Sequence, residues 1–338
     1  MKIINEIDIL ETEILEQYPE VLELLLYDFT TKNNVFWATD DYTHFGLGYE
    51  YDSPIKKELI TGLYGNVIMP RVKKNAELQQ SRVRTKAEVF TPSWVCNKQN
   101  NLIDNAWFKR DHVFNKEIKT SDGQNDWIIS NEKIIFPEGR TWQDYIYDVR
   151  LEVACGEAPY IASRYDAITG KYIPVERRIG LLDRKLRVIN ENTDSAKDWL
   201  ESTETAFKSI YAFDWQGDSL LLARESLLFT FLDYFHFKFG ELPELSSIKI
   251  IAEIISWNVW QMDGLKGVIP ESCVKEIVET AENLFGERQT ETRLCEGCLK
   301  GNLSKHNGIY CIIKDWKTKD PKTDKYGLQL RFIDLVKN

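Results

Sequence analysis

Short apolar segments that end in a small or an acidic residue, with helical segments between them, constrain the fold of this chain most. Residues 149–154 alternate in hydrophobicity and run into Gly156, and residues 209–214 end at Asp214. Residues 218–239 form a long helical segment, and residues 259–263 give a third strand that ends at Asp263. Strands that alternate with helices are typical of a parallel sheet covered by helices. The sequence therefore predicts an α/β fold.

The size and composition are those of a globular protein. The chain has 338 residues, of which 43% are hydrophobic and 12% are aromatic, so it can bury a large core. Its formal net charge of −10 argues against a protein that coats nucleic acid without specificity. A local basic surface is still compatible with that charge, because DNA contact depends on where Lys and Arg gather.

Neither the start of the chain nor its longest apolar segment indicates secretion or a membrane span. Acidic residues, Glu6 and Asp8 among them, interrupt the region where a signal peptide needs an apolar stretch. Charged residues also interrupt residues 220–239, for example Arg224 and Asp233. Six cysteines without an export signal favour reduced thiols or a metal site over disulfides. We expect a cytoplasmic protein without membrane contact.

The pattern along the chain predicts three regions. Residues 1–85 comprise an acidic amphipathic helix, an aromatic and Gly-rich stretch and a basic stretch. Residues 86–270 form the core, with an insertion at residues 161–209. A helix is predicted over residues 92–107, and its inner side would carry Trp94, Val95, Leu102, Ile103 and Trp107. Residues 271–338 are a Cys- and Lys-rich appendage.

Basic residues cluster at two places that are candidates for DNA contact. Between residues 71 and 86 the cations outnumber the single acid, and the insertion carries a second group. The candidate phosphate contacts are Lys73, Lys74, Arg82, Arg84, Arg177 and Arg178. The alternative for the first group is a solvated helix face, and for the second a charged surface hairpin; the sequence leaves both alternatives open.

The three strand ends carry the residue types that a nucleoside cofactor needs. A small residue after the first strand lets the backbone approach the ligand, and Ala154, Cys155 and Gly156 supply such a turn. A carboxylate after the second strand can accept hydrogen bonds from both ribose hydroxyls, and Asp214 stands there beside Trp215, whose ring can stack on adenine. Asp263 can read the adenine amine after the third strand. The alternative is that these are ordinary strand-end acids.

Two runs in this order resemble the opening motifs of adenine-N6 DNA methyltransferases from restriction–modification systems. Residues 89–92, Val-Phe-Thr-Pro, resemble the Phe-Thr-Pro motif, and residues 151–156 are similar to the Asp-Pro-Ala-Cys-Gly turn. The resemblance covers residues 85–265 and implies a Rossmann-like core that binds S-adenosylmethionine and acts on DNA. It also implies that Phe90, Thr91 and Pro92 shape the methionine end of the cofactor site.

The sequence departs from that family at several positions. Glu152 and Val153 replace Asp-Pro, Ala158 replaces the second glycine of the turn, and Pro159 follows it. The catalytic Asn/Asp-Pro-Pro-Tyr/Phe motif is missing, because no two prolines are adjacent. Three explanations remain open: the motif lies on a partner subunit, the chain is a non-catalytic binding or assembly subunit of a defence system, or the catalytic turn is divergent. Asp315 and Trp316 are the nearest catalytic substitutes.

A cysteine-rich segment near the C-terminus offers ligands for zinc. Cys295 and Cys298 are separated by two residues, and His306 and Cys311 follow. Three thiolates and one imidazole suit a closed tetrahedral structural site. The alternative is free thiols beside an unrelated histidine and a buried Cys311.

Overall fold

The fold is described from a computed structural model that covers residues 7–8, 11–86, 88, 91–282 and 288–336. The N-terminal elements are α1 (Glu11–Gln17), α2 (Pro19–Leu26), β1 (Tyr27–Asp28), β2 (Asn33–Asn34) and α3 (Ala76–Lys86). Short 3-10 turns lie between β2 and α3, at Thr43–Phe45, Lys57–Leu59, Gly62–Tyr64 and Arg71–Lys73. The single acidic helix expected at the N-terminus is two helices, because Pro19 starts a new helix after Tyr18.

The middle of the chain carries the elements that position the cleft. In chain order these are α4 (Ser93–Phe108), β3 (Asn115–Lys119), β4 (Asn125–Ile129), α5 (Trp142–Tyr147), β5 (Arg150–Val153), a 3-10 turn (Val175–Arg177), α6 (Leu181–Asn192), α7 (Ala196–Lys208), β6 (Ile210–Asp214), α8 (Gly217–Phe239), α9 (Leu245–Asn258) and β7 (Val259–Gln261). The predicted strands and the long helix after β6 are confirmed.

Strands β5, β6 and β7 form a parallel sheet in that order. Parallel neighbours need crossover connections, which α6 and α7 provide before β6 and α8 and α9 before β7. Side chains alternate between the two faces of the sheet. Ala212 and Val259 face the main, helix-covered core, whereas Phe213 and Trp260 belong to a second hydrophobic cluster. The predicted α/β class is confirmed.

The C-terminal part of the described chain contains six further elements. They are β8 (Glu276–Glu282), β9 (Arg288–Arg293), α10 (Glu296–Lys300), β10 (Ile312–Lys319), β11 (Tyr326–Arg331) and α11 (Phe332–Val336), and β10 and β11 pair as an antiparallel hairpin. Cys311 and Ile313 pack with Phe213 and Trp260 in the second cluster. The β10–β11 hairpin therefore packs directly on the second face of the sheet.

The region boundaries expected from the sequence do not divide the hydrophobic core. Leu22 and Leu25 of α2 lie in the same cluster as Leu182 of α6, Trp199 of α7 and Leu221 of α8. The supposed insertion at residues 161–209 therefore supplies two core helices, and its interpretation as a charged surface hairpin is wrong. Its apolar residues are spaced for burial, but the arginines among them suggested a surface.

Helix α4 has the predicted bounds within one residue, and Trp107 packs on the core as expected, but three of the apolar residues predicted to face inward are exposed. Trp94, Leu102 and Ile103 are 38%, 63% and 40% exposed, whereas the side that carries asparagines is buried. Arg184 of α6 explains this, because its guanidinium donates to Asn97 Oδ1 (2.9 Å) and Asn101 Oδ1 (2.8 Å). Buried polar groups are stable where they are paired in this way.

Candidate cofactor cleft and metal-ligand cluster

A cavity of about 600 Å³ opens where β5 and β6 end. Its volume is in the range of small-molecule sites. Its lining residues are Tyr51, Arg84, Thr85, Glu88, Thr91, Glu152, Ala154, Cys155, Gly156, Pro159, Tyr160, Asp214, Trp215, Gln216, Ser219 and Glu271. The structure thus brings together Thr91, the 154–156 turn, Asp214 and Trp215, all of which the sequence had singled out; Phe90 lies outside the described residues.

The turn after β5 has an unusual backbone. Ala154, Gly156 and Ala158 all have left-handed φ angles, of +52°, +54° and +58°. This conformation is easy for glycine but costs other residues about 1–2 kcal/mol. The turn is tied to β6, because Cys155 N–H donates to Phe213 O (3.0 Å) and Gly156 N–H to Asp214 Oδ2 (2.7 Å). A strained backbone that is held in place at a cavity is typical of a functional site.

Asp214 keeps acceptor capacity towards the cavity. Gly156 N–H and Gln216 N–H occupy one position on each carboxylate oxygen, at 2.7 and 3.1 Å. An ionised carboxylate has about four acceptor positions, so hydroxyl donors can still bind it. Burial raises the pKa of Asp214, and the backbone N–H donors counteract part of that shift. The neighbouring Trp215 is fixed by its indole N–H, which donates to the Tyr51 hydroxyl (3.0 Å).

Glu152 is a second buried carboxyl at the cavity, and the sequence reading had noted it only as a departure. Its oxygens accept from Tyr160 N–H (3.4 Å) and Ile161 N–H (3.2 Å). Burial raises the pKa of Glu152 to about 8. With Glu88, Asp214 and Glu271 also in the lining and Arg84 as its cation, the cavity has an acidic character that favours a positively charged ligand.

The wall formed by α3 is anchored by a buried ion network around Asp218. Arg82 lies 3.0 Å and Lys74 3.3 Å from its carboxylate, and the Tyr42 hydroxyl donates to it at 2.7 Å. Burial would raise the pKa of Asp218, but the two cations hold it below its usual range. Arg82 also pairs with Glu88, at the cavity. Lys74 and Arg82 are therefore unavailable to DNA phosphates, and that interpretation of them is wrong.

The remaining basic candidates are scattered. Arg178 is buried against Asp233 (2.6 Å), so its interpretation as a phosphate contact is also wrong. Lys73 pairs with Asp8 at 3.2 Å and Arg177 with Asp126 at 2.6 Å, while both remain 44% exposed. Arg84 is exposed at the cavity. Sequence clustering failed here because several of these cations balance buried acids that lie far away in the chain.

Two of the expected cofactor residues do not line the cavity at the ends of β5 and β6, which is called the main cavity below. Pro92 lines a separate surface cavity of about 640 Å³. Asp263 is absent from the described lining of the main cavity, because its carboxylate closes a turn after β7 instead. It accepts from Leu265 N–H (3.0 Å) and pairs with Lys266 (2.9 Å). Gln216, which lines the cavity and follows the Asp214–Trp215 pair, is tied to the wall, because its amide oxygen accepts from the Arg82 guanidinium (2.6 Å).

The catalytic substitutes lie at the wrong end of the sheet. Trp316 N–H donates to Asn258 Oδ1 (2.8 Å), and Asn258 directly precedes β7. Asp315 accepts from Lys317 N–H (2.9 Å), and the Lys317 ammonium reaches Tyr147 O, just before β5. These contacts place the pair at the amino ends of the strands, whereas the cavity is at the carboxyl ends. Assigning catalysis to Asp315 and Trp316 is therefore wrong.

A second site is formed by Cys273, Cys295, Cys298 and His306. Their ligand atoms all lie within 4.8 Å of one another. The sulfurs of the three cysteines are 3.6, 3.8 and 3.6 Å from His306 Nδ1. The sequence correctly placed three of these residues, but the fourth is Cys273 and not Cys311. Cys311 is buried beside the sheet, with its thiol 3.4 Å from Gln261 O.

Local sequence explains how the cluster forms. Cys295 caps α10, and Cys298 N–H donates to its sulfur (3.5 Å). Gly297 packs on His306, since a Cβ on Gly297 would lie 2.5 Å from the backbone nitrogen of His306. Gly308 packs on Cys273 in the same way, since a Cβ on Gly308 would lie 3.0 Å from the Cys273 sulfur. Burial would raise the pKa of Cys295, but backbone N–H donors and His306 lower it below its usual value.

Comparison with known proteins found no matching family model, no matching curated protein and no matching solved structure. Within the described ranges, none of the helices has the length and apolarity to cross a membrane. The two sites themselves therefore carry the information on function.

Proposed function

We propose that the main cavity binds S-adenosylmethionine, and that the chain is the cofactor-binding component of an adenine-N6 DNA methyltransferase from a restriction–modification system. One observation carries this proposal: the Ala154–Gly156 turn, Asp214 and Trp215 line one cavity at the carboxyl ends of adjacent parallel strands. Ligands of Rossmann-like sheets lie at this edge. The order of the three strands in the sheet is compatible with one half of such a fold.

The residues at the cavity fit the cofactor's chemistry. Asp214 has acceptor positions for the ribose hydroxyls, and Trp215 offers an aromatic face to the adenine. The cofactor carries a sulfonium and an ammonium, which suit the acidic lining by Glu88 and Glu271. When bound, S-adenosylmethionine supplies an electrophilic methyl group. The chain's own residues bind and orient it.

The acceptor side of the reaction is assigned to a partner. The sequence lacks the catalytic Pro-Pro-aromatic motif, and Asp315 and Trp316 are remote from the cavity. A flipped base needs an aromatic surface and a hydrogen-bond acceptor for its amine. A second modification subunit would supply that turn. A non-catalytic binding subunit of a defence system is the alternative function, and the same remoteness of Asp315 and Trp316 favours it.

Calorimetric titration with S-adenosylmethionine tests the proposal. We expect saturable binding by the intact chain that is lost in Asp214→Ala and kept in Asp111→Ala, which changes an exposed aspartate. Because the lining is acidic, binding should weaken for uncharged adenosine. No binding by the intact chain would refute the proposal. Transfer of a labelled methyl group to adenine-containing DNA is then measured with and without a candidate partner. Transfer indicates a methyltransferase component, and binding without transfer indicates a non-catalytic binding subunit.

We further propose that the Cys3His cluster holds a structural zinc ion. Zn–S bonds of about 2.3 Å and Zn–N bonds of about 2.0 Å at tetrahedral angles put sulfur and nitrogen roughly 3.5 Å apart. The three sulfur-to-nitrogen distances of 3.6, 3.8 and 3.6 Å agree with that geometry. Elemental analysis should find one zinc per chain, and Cys298→Ser should lower that content, whereas Cys311→Ser should not.

A further inference from the structure

One segment joins the metal-ligand cluster to the cavity. It follows β7 and its turn, reaches Glu271 in the lining of the cavity, and continues to Cys273 in the cluster two residues later. A shift of Cys273 is therefore transmitted to Glu271, because only Ser272 separates them and its hydroxyl is fixed by hydrogen bonds to Ile269 O (2.7 Å) and Ile309 N–H (3.0 Å).

The hydrogen bonds of this segment lead to the loop that carries His306. Ile269 N–H donates to Ile309 O (2.8 Å), and Ile309 N–H donates to the Ser272 hydroxyl (3.0 Å). Val274 N–H donates to Asn307 Oδ1 (3.1 Å). Gly308 lies between these bonds, and a Cβ on it would be 2.6 Å from Ser272 Oγ. The segment and the loop are thus closely packed, and both carry ligands of the cluster.

Glu271 itself has a backbone that its surroundings must maintain. Its φ is +56°, in the left-handed region that costs a non-glycine residue about 1–2 kcal/mol. The side chain is exposed at the cavity and close to Tyr51, whose pKa is raised to about 12, first by burial and also by the charge of Glu271. Tyr51 in turn accepts from Trp215 N–H. Glu271 therefore completes one wall of the cavity from the cluster's side.

We infer that the metal ion at Cys273, Cys295, Cys298 and His306 sets the position of Glu271, and that Glu271 is a binding residue for the cationic part of the ligand. This inference rests on the proposed function of the cavity and of the cluster. Without the ion, the four ligand atoms lose their common partner and the strained Glu271 relaxes. The cavity then loses a carboxylate on one side while the 154–156 turn and Asp214 stay in place on the other.

The test is a cycle of four calorimetric titrations with S-adenosylmethionine. The intact chain and Glu271→Gln are each measured zinc-loaded and after treatment with a chelator, and zinc is then added back. We expect chelation to weaken binding by the intact chain roughly tenfold, and Glu271→Gln to cause the same loss in the zinc-loaded state. Chelation of Glu271→Gln should add little further loss, because the two changes act through one carboxylate. The control Glu138→Gln, at an exposed loop, should behave as the intact chain.

The outcomes separate this inference from the function it rests on. If the zinc-loaded chain binds and chelation changes nothing, or if the two losses simply add, the inference is wrong while the cofactor proposal stands. If the zinc-loaded chain does not bind, both are wrong. If the chain retains no zinc, the inference falls together with the zinc proposal. Exchange protection of the amides in α8, measured on the same samples, shows that the core remains folded after chelation.

Discussion

The cavity and the Cys3His cluster are held in place by different forces. The cavity lies on strands whose neighbours belong to the main hydrophobic core, and Asp214 and Glu152 are satisfied by backbone N–H groups. The cluster lies at the start of α10 and in two loops; Cys295 is buried, but the ligands come from three separate segments. The first site is therefore formed by folding alone, whereas the zinc ion that we propose for the second would join ligands from separate segments.

Removal of the metal should give the largest effect and should affect one region only. Structural zinc contributes an apparent free energy of about 10–16 kcal/mol in small zinc-dependent peptides, so chelation should open the loops around Gly297 and Ile309. We expect amide exchange there to accelerate by orders of magnitude, while the amides of α8 keep their protection. Equal loss of protection in both places would show that the two regions are not held independently.

The buried network behind the cavity should give the next largest effect. Arg82→Met leaves Asp218 and Glu88 without their guanidinium, and breaking a buried ion pair costs about 3–5 kcal/mol. Urea unfolding should show this loss in the free energy of unfolding. Arg84→Met is the matched control, since Arg84 is exposed and should change the free energy of unfolding by less than about 0.5 kcal/mol. A similar loss in both variants would contradict the anchoring role of Arg82.

These two sites also differ in how far the sequence predicts them. Strand ends are local features, so the 154–156 turn, Asp214 and Trp215 were predicted from their own segments and do line one cavity. Cys273 was missed because the β8–β9 hairpin separates it from the other ligands, and no local spacing connects them. Local patterns identify what a strand or loop offers, but they do not identify partners brought together by the fold.

Buried charge shows the same limit. Arg82 and Arg178 resembled a DNA-binding surface because the acids that neutralise them, Asp218 and Asp233, are distant in the chain. The exposed apolar side of α4 has the same origin, since Arg184 draws the asparagines inward. Each of these errors comes from the assumption that polar residues face water. That assumption fails where the core contains a hydrogen-bond or ion-pair partner for the side chain.

The pH dependence of stability should contain a contribution from Glu152 at the cavity. The pKa of Glu152 is raised from 4.5 to about 8, so between these values the folded chain binds a proton that the unfolded chain has lost. Stability should therefore be highest at the acidic end of this window and fall as pH rises towards 8, by on the order of a few kcal/mol.

Glu152→Gln is the matched variant for this prediction, because it removes the titrating group while its amide oxygen can still accept from one of the two backbone N–H groups, those of Tyr160 and Ile161, which donate to different oxygens of Glu152. Urea unfolding across the window should show a flatter profile for Glu152→Gln than for the intact chain. An equally steep decline in the variant would assign the dependence to another group, of which Asp214 is the nearest with a raised pKa.

The smallest effect compares two non-glycine residues with left-handed backbones, one at each side of the cavity. Ala154 has a φ of +52° and is held by β6 and the core, whereas Glu271 has a φ of +56° and lies next to a metal ligand. Glycine relieves about 1–2 kcal/mol of strain at either position, but a more flexible unfolded chain offsets about 0.5–1 kcal/mol of that gain. Ala154→Gly should therefore stabilise the chain by up to about 1 kcal/mol in urea unfolding, with or without zinc. Glu271→Gly should stabilise only the zinc-loaded protein, because the strain that glycine relieves is present only while the ion holds Cys273. If both substitutions stabilise the chain independently of zinc, the core and not the metal maintains both walls of the cavity.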